Sequence, residues 1–70
     1  MSTTYAVVIE KADGNYSAYV PDLPGCVAVG DTIEECEDSI QEAIEAHLQV
    51  MRDEGLHVPE PRSVAREVQV

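Results

Sequence analysis

The side chains here with the right types for chemistry are fourteen carboxylates, two cysteines and two histidines in a chain of 70 residues. Carboxylates that converge on a pair of metal ions can drive cleavage of a nucleic-acid backbone. Such a site needs them to project together from neighbouring elements. Glu10 closes the apolar run "TTYAVVIE", and Glu67 lies in the last apolar run. Strand alternation would point Glu67 away from Val64, Val68 and Val70. Glu34, Glu35, Asp38, Glu42 and Glu45 fall in a helical stretch, opposite its apolar stripe. These groups cannot meet on one metal pair. No catalytic residue is therefore expected, and the chain reads as a non-enzyme.

The soft ligands are Cys26, Cys36, His47 and His57. Cys36 and His47 share a helix but stand three turns apart, too far for one ion. A Cys26–His47 nucleophile and base has no supporting signature. Free cysteine is among the most buried residue types, so both thiols read as reduced core packing. Together with the lack of a signal peptide or long apolar span, this fits a cytoplasmic protein with no membrane partner. His47 lies within the apolar stripe. It reads first as a neutral core ring bonded to backbone, and second as part of a self-association surface. No metal or cofactor is expected.

The elements that must position these groups are legible from periodicity. Residues 3–10 alternate as a strand, with Tyr5, Val7 and Ile9 on one face. Asp13-Gly14 is a hairpin signal. Residues 16–21 form a second strand, Pro24-Gly25 a type II turn, and residues 26–30 a third strand. Thr32 is a helix N-cap, with Glu35 at the capping-box spacing. Ile33, Cys36, Ile40, Ala43, Ile44, His47, Leu48 and Met51 make one apolar stripe. Gly55 ends the helix, and Val58-Pro59-Glu60-Pro61 is an extended connector. Residues 63–70 alternate as a fourth strand. The expectation is an α+β domain spanning 1–70, with element order β-β-β-α-β. The meander continues by a right-handed crossover to a parallel fourth strand, in sheet order 3-2-1-4. One helix covers one sheet face.

Charge narrows the function. The net charge is −10 and the pI is about 4.2. Lys11, Arg52, Arg62 and Arg66 are the four fixed cations and are scattered, so direct nucleic-acid binding is not expected. An acidic molecule is steered to a basic partner; the plain alternative is a solvated face that keeps a small protein soluble. A chain of this size buries only ~60% of the surface its unfolded form exposes. With open sheet edges, it is expected to be a dimer or higher homo-oligomer. His47, Val64 and Val68 are candidate contacts.

The ordered set Tyr16-x-Ala18-x-x-Pro21-Asp22-Leu23-Pro24-Gly25, Gly30-Asp31-Thr32, Glu42-Ala43, His47-Leu48, Gly55 and Pro59-Glu60-Pro61 closely resembles the HicB family of type II toxin–antitoxin antitoxins. The likeness runs over residues 3–70. It implies a partial, inactive ribonuclease H-like fold. It also implies binding to a HicA-like toxin, a small basic ribonuclease, which the antitoxin neutralises by masking its RNA-binding and catalytic surface. Asp22, Asp31, Glu34, Glu35, Asp38 and Glu42 are then the candidate partner contacts. Many family members continue into a C-terminal DNA-binding domain. This sequence is expected to be a short form without one. The alternative is a solitary HicB-like oligomeric protein with an unknown ligand.

Overall fold

The structure, a computed structural model, describes residues 4–69. Its elements are β1 (Val8–Ala12), β2 (Asn15–Tyr19), β3 (Val27–Gly30) and α1 (Ile33–Asp53). The strands pair antiparallel in the order β1-β2-β3, the meander that the turn signals imply. Strand β1 starts later than expected and runs further. Its first pair is Val8 with Tyr19 and its last is Ala12 with Asn15. A two-residue loop with Gly14 at φ 79° holds the ladder closed to the turn. Residues 4–7 run past the end of β2 and find no strand partner, and Thr3 lies outside the described residues.

The connection from β2 to β3 explains why β2 stops before Pro21. Val20 N–H donates to the Cys26 carbonyl at 3.2 Å, Leu23 N–H to Val20 at 3.1 Å, and Cys26 N–H to Leu23 at 3.0 Å. Two four-residue turns therefore follow one another, 20–23 and 23–26. Each has proline at its second position, where the ring presets φ. Gly25, at φ 84°, supplies the positive φ of a type II turn. Leu23 joins the two turns and is fully buried.

Helix α1 begins and ends on the signals read in the sequence. Thr32 Oγ1 accepts from Glu35 N–H at 3.1 Å. The Glu35 carboxylate reaches back to Asp31 N–H at 3.1 Å, one residue before the cap. At the other end Gly55 has φ 69°. Its N–H donates to Arg52 at 3.1 Å, and Leu56 N–H donates to Met51 at 2.8 Å, a Schellman motif. The helix buries Cys36, Ile40 and Leu48 against Ala18, Val20, Leu23 and Cys26. It lies over β3 and, less closely, β2. Gly30 makes this approach possible. A Cβ there would sit 2.5 Å from Cys36 N and 2.8 Å from Cys36 Cα.

The expected fourth strand is the main correction. Among the described residues the sheet has three strands, and residues 63–69 pair with none; Val70 lies outside the described residues. The physical reason is where the chain is tied down. Tyr5 Oη donates to the Pro59 carbonyl. Asp22 then takes the N–H groups of Arg62 and Ser63, each at 2.9 Å, and the Ser63 hydroxyl at 3.0 Å. These bonds tie the start of the tail both to Tyr5, in the segment that leads into β1, and to the turn after β2, and residues 63–69 continue from there without strand pairing.

Candidate partner-binding surface

The carboxylates of α1 stand on its solvent side. Glu34, Asp38, Glu42 and Glu45 recur at three- and four-residue steps and all are exposed, because the stripe through Cys36, Ile40 and Leu48 claims the other side. Asp38, Gln41, Glu42 and Glu45 line a shallow depression of about 330 Å³. The recorded side-chain partners on this stretch are amides: Gln41 Nε2 donates to Glu45 at 3.4 Å, and Gln49 Nε2 to Asp53 at 2.9 Å. The strip thus keeps its negative field directed outward. Like charges four residues apart cost a few tenths of a kcal/mol each in an isolated helix, a cost that a cationic partner would reverse.

The six acidic residues singled out from the sequence divide by what their side chains do. Glu34, Asp38 and Glu42 are free to meet a partner on the exposed strip. Glu35 is occupied in the helix cap. Asp31 is exposed beside that cap. Asp22 is half-buried and acts as a latch for the tail. Donation from the Ser63 N–H, and then from the Arg62 N–H, holds its carboxyl below the usual carboxylate range. The structure therefore brings three of the six together with Glu45 and assigns two of the others internal bonds.

A second surface was not named residue by residue in the sequence. In-register pairing sets Val8, Tyr19 and Val27 in one row across the sheet, and Glu10, Ser17 and Val29 in the next. Ala18 is buried under the helix, so alternation turns these rows to the opposite, open face. Tyr19, Val27 and Val29 are 42%, 65% and 61% exposed. The first row is apolar and Val29 extends it, whereas Glu10 and Ser17 make the rest of the second row polar; exposed apolar area of this kind is a feature that interaction surfaces share. The signal in the sequence was the Val27-Ala28-Val29 alternation. It becomes interpretable only when the register shows which face the helix takes.

His47 is half-buried and is not at the core centre. It lines an apolar hollow of about 400 Å³ with Cys26, Val27, Ala43, Val50 and Met51. Val50 and Leu56 at this hollow are 53% and 52% exposed, which places His47 at the edge of an apolar patch. Both cysteines are free and buried, and burial pushes the Cys26 thiol up. Val64 and Val68 are 67% and 81% exposed. Among the described residues no group of three or more His, Cys, Asp or Glu could hold a metal ion. No helix among them is long and apolar enough to cross a membrane.

Comparison with known proteins agrees with the motifs. The family model of the HicB-like antitoxin of bacterial toxin-antitoxin systems matches residues 5–70. A 14.9 kDa protein from the rep-hol intergenic region of Haemophilus phage HP1 is 35% identical over 60 residues, covering 86% of this chain and 45% of the phage protein. The chain thus spans under half the length of that relative. A UPF0150 protein of Synechocystis is 37% identical over 67 residues, covering 94% of this chain and 85% of that one. A chain of the HicA3 and HicB3 toxin-antitoxin complex matches with a TM-score of 0.73 at 28% identity, over 84% of this chain and 70% of its own.

Proposed function

Since the chain belongs to the HicB-like antitoxin family of bacterial toxin-antitoxin systems, we propose that it neutralises a HicA-type toxin by covering that toxin's basic RNA-binding surface. The observation that carries this reading is the exposed strip Glu34, Asp38, Glu42 and Glu45, on a protein of net charge −10. A surface that binds an RNA backbone presents cations, and an acidic strip competes for them. The matched structure is of a toxin-antitoxin complex, which supports a protein partner. The open sheet face through Tyr19, Val27 and Val29 offers apolar area beside the charge. Charge then steers the encounter, and apolar burial slows dissociation.

In this reading the protein acts in the cytoplasm, by binding and not by turnover. The three-strand meander and its helix serve as a scaffold in which a ribonuclease H-like arrangement is kept without its metal chemistry. It also assembles with itself, because a domain this small leaves apolar area bare. The test is a ribonuclease assay on a HicA-type toxin from the same genome, with and without the protein. Stoichiometric inhibition supports the proposal. Undiminished RNA cleavage with excess protein overturns it.

A further inference from the structure

Helix α1 lies over β3 and β2 and leaves the β1 side of the sheet open. There a groove of about 670 Å³ runs between β1 and the helix. Its floor is apolar, with Val7 and Ile9 on one wall and Ile40, Ile44 and Leu48 on the other. Among the described residues strand β1 has β2 as its one neighbour, so the backbone groups along the groove have no strand partner among them. A free strand edge beside an apolar floor has the two features that strand addition uses.

The sequence supplies a segment that fits. Residues 64–69, "VAREVQ", alternate like a strand, yet Val64 and Val68 are among the most exposed apolar side chains of the molecule. In a strand, Val64 and Val68 would lie on one face about 13 Å apart. Ile40 and Leu48 lie about 12 Å apart along the helix. Arg66 falls between the two valines on that face. The groove carries Glu37 and Glu45 on its helix wall, with Arg52 at its end, and the Arg66 guanidinium now donates to nothing farther than the neighbouring Ala65 carbonyl, at 3.1 Å. Length and apolar spacing match, and the two carboxylates outnumber the one cation that Arg66 would meet. Within its own chain the segment is tied at its start, where Asp22 holds Arg62 and Ser63 to the turn after β2, and residues 64–69 join no strand of their own sheet.

We propose that residues 64–69 of one copy add as a fourth strand to β1 of a second copy, filling its groove, in a reciprocal exchange. The inference rests on the self-association part of the function proposed above; it shares Glu45 with the acidic strip, and its test needs no toxin. Each partner supplies a segment that joins no strand of its own sheet. Val64 and Val68 cover Ile40, Ile44 and Leu48, and Arg66 reaches Glu37 and Glu45.

The test uses the full chain and two tail variants, V64D/V68D and R66P. The tail side chains changed are exposed, so the folded monomer should survive, and circular dichroism checks this. Light scattering over a concentration series gives the dimer dissociation constant. Four valines leave water in each dimer, so V64D/V68D should weaken it by at least roughly 100-fold. R66P removes a strand N–H and should also weaken it. In a sample mixing labelled and unlabelled chains, isotope-filtered NOEs should join tail valine methyls to Ile9 and Ile44 across chains. A dimer unchanged by both variants overturns the exchange while leaving self-association intact, and points to the open sheet face. Tail-to-groove NOEs within one chain alone also overturn the exchange. A wild-type monomer at all concentrations overturns both.

Discussion

Replacing Gly30 with alanine tests how the helix is seated. The added Cβ would lie 2.5 Å from Cys36 N, 2.8 Å from Cys36 Cα and 2.9 Å from the Glu35 carbonyl carbon. Ordinary contact between such atoms is about 3.5–4.0 Å, so the helix must lift by roughly 1 Å. All three atoms are backbone, and no rotamer change relieves the clash. Overpacking of this kind costs about 1–3 kcal/mol. A gap of 0.5–1 Å under Cys36 and Ile40, both buried, also forfeits about a quarter to a half of each dispersion contact there. The total expected loss is about 3 kcal/mol or more. For a domain of this size that lowers Tm by roughly 12–24 °C. Gly14→Ala is the control. Its Cβ would meet nothing within 4 Å, but φ is 79°, so it should cost only about 1–2 kcal/mol. Thermal unfolding by circular dichroism compares them. A Gly30→Ala protein that melts within a few degrees of wild type, or above Gly14→Ala, would refute the seating described.

Leu23→Ala removes a fully buried side chain between two proline turns and should cost about 2–5 kcal/mol, read as a lower urea midpoint. The Asp22 latch should be acid-labile. Its folded carboxyl titrates below the usual range, so it adds stability above the unfolded pKa, and that contribution is lost as pH falls through the lower folded value. Amide protection factors at Arg62 and Ser63, corrected for the intrinsic exchange rate, should therefore fall below about pH 4, and Asp22→Asn should remove that dependence; identical pH profiles would count against the latch. Cys26 behaves in the opposite sense. Its thiol is pushed up by burial, so stability is complete below the unfolded thiol pKa and declines as pH rises through the folded value. Thiol reagents should modify it in denaturant much faster than in the native protein.

The parts of the fold fixed by local stereochemistry were legible in the sequence. Thr32 with Glu35, Gly55, and the Pro21-to-Gly25 stretch each demand a backbone geometry that few alternatives satisfy, and the structure has each of them. Strand ends were less legible, because Val20 N–H goes to Cys26 and not to a ladder partner, which periodicity does not reveal. The tail shows the limit most clearly. Val64 and Val68 alternate as a strand should, but a strand also needs an edge to pair with, and alternation does not show that the chain just before them is bonded to Asp22. The acidic strip was readable from helical spacing alone. Glu35 was readable as a capping residue and so belongs to the cap before it belongs to a partner surface; that Asp22 has an internal duty was not readable, because it depends on a contact 41 residues away.

The central claim is that the outward carboxylates of α1 recognise a cationic toxin surface. It is tested most directly by stopped-flow association of the protein with a HicA-type toxin from the same genome, over a salt series. The comparison is with a variant carrying Glu34→Gln, Asp38→Asn, Glu42→Gln and Glu45→Gln, which spares the capping Glu35. The account predicts association at least about tenfold slower for the variant at low salt. The two rates should converge near 1 M salt, where the screening length falls to about 3 Å. Equal rates and equal salt slopes at low salt would contradict it and leave the acidic face as a solvated surface.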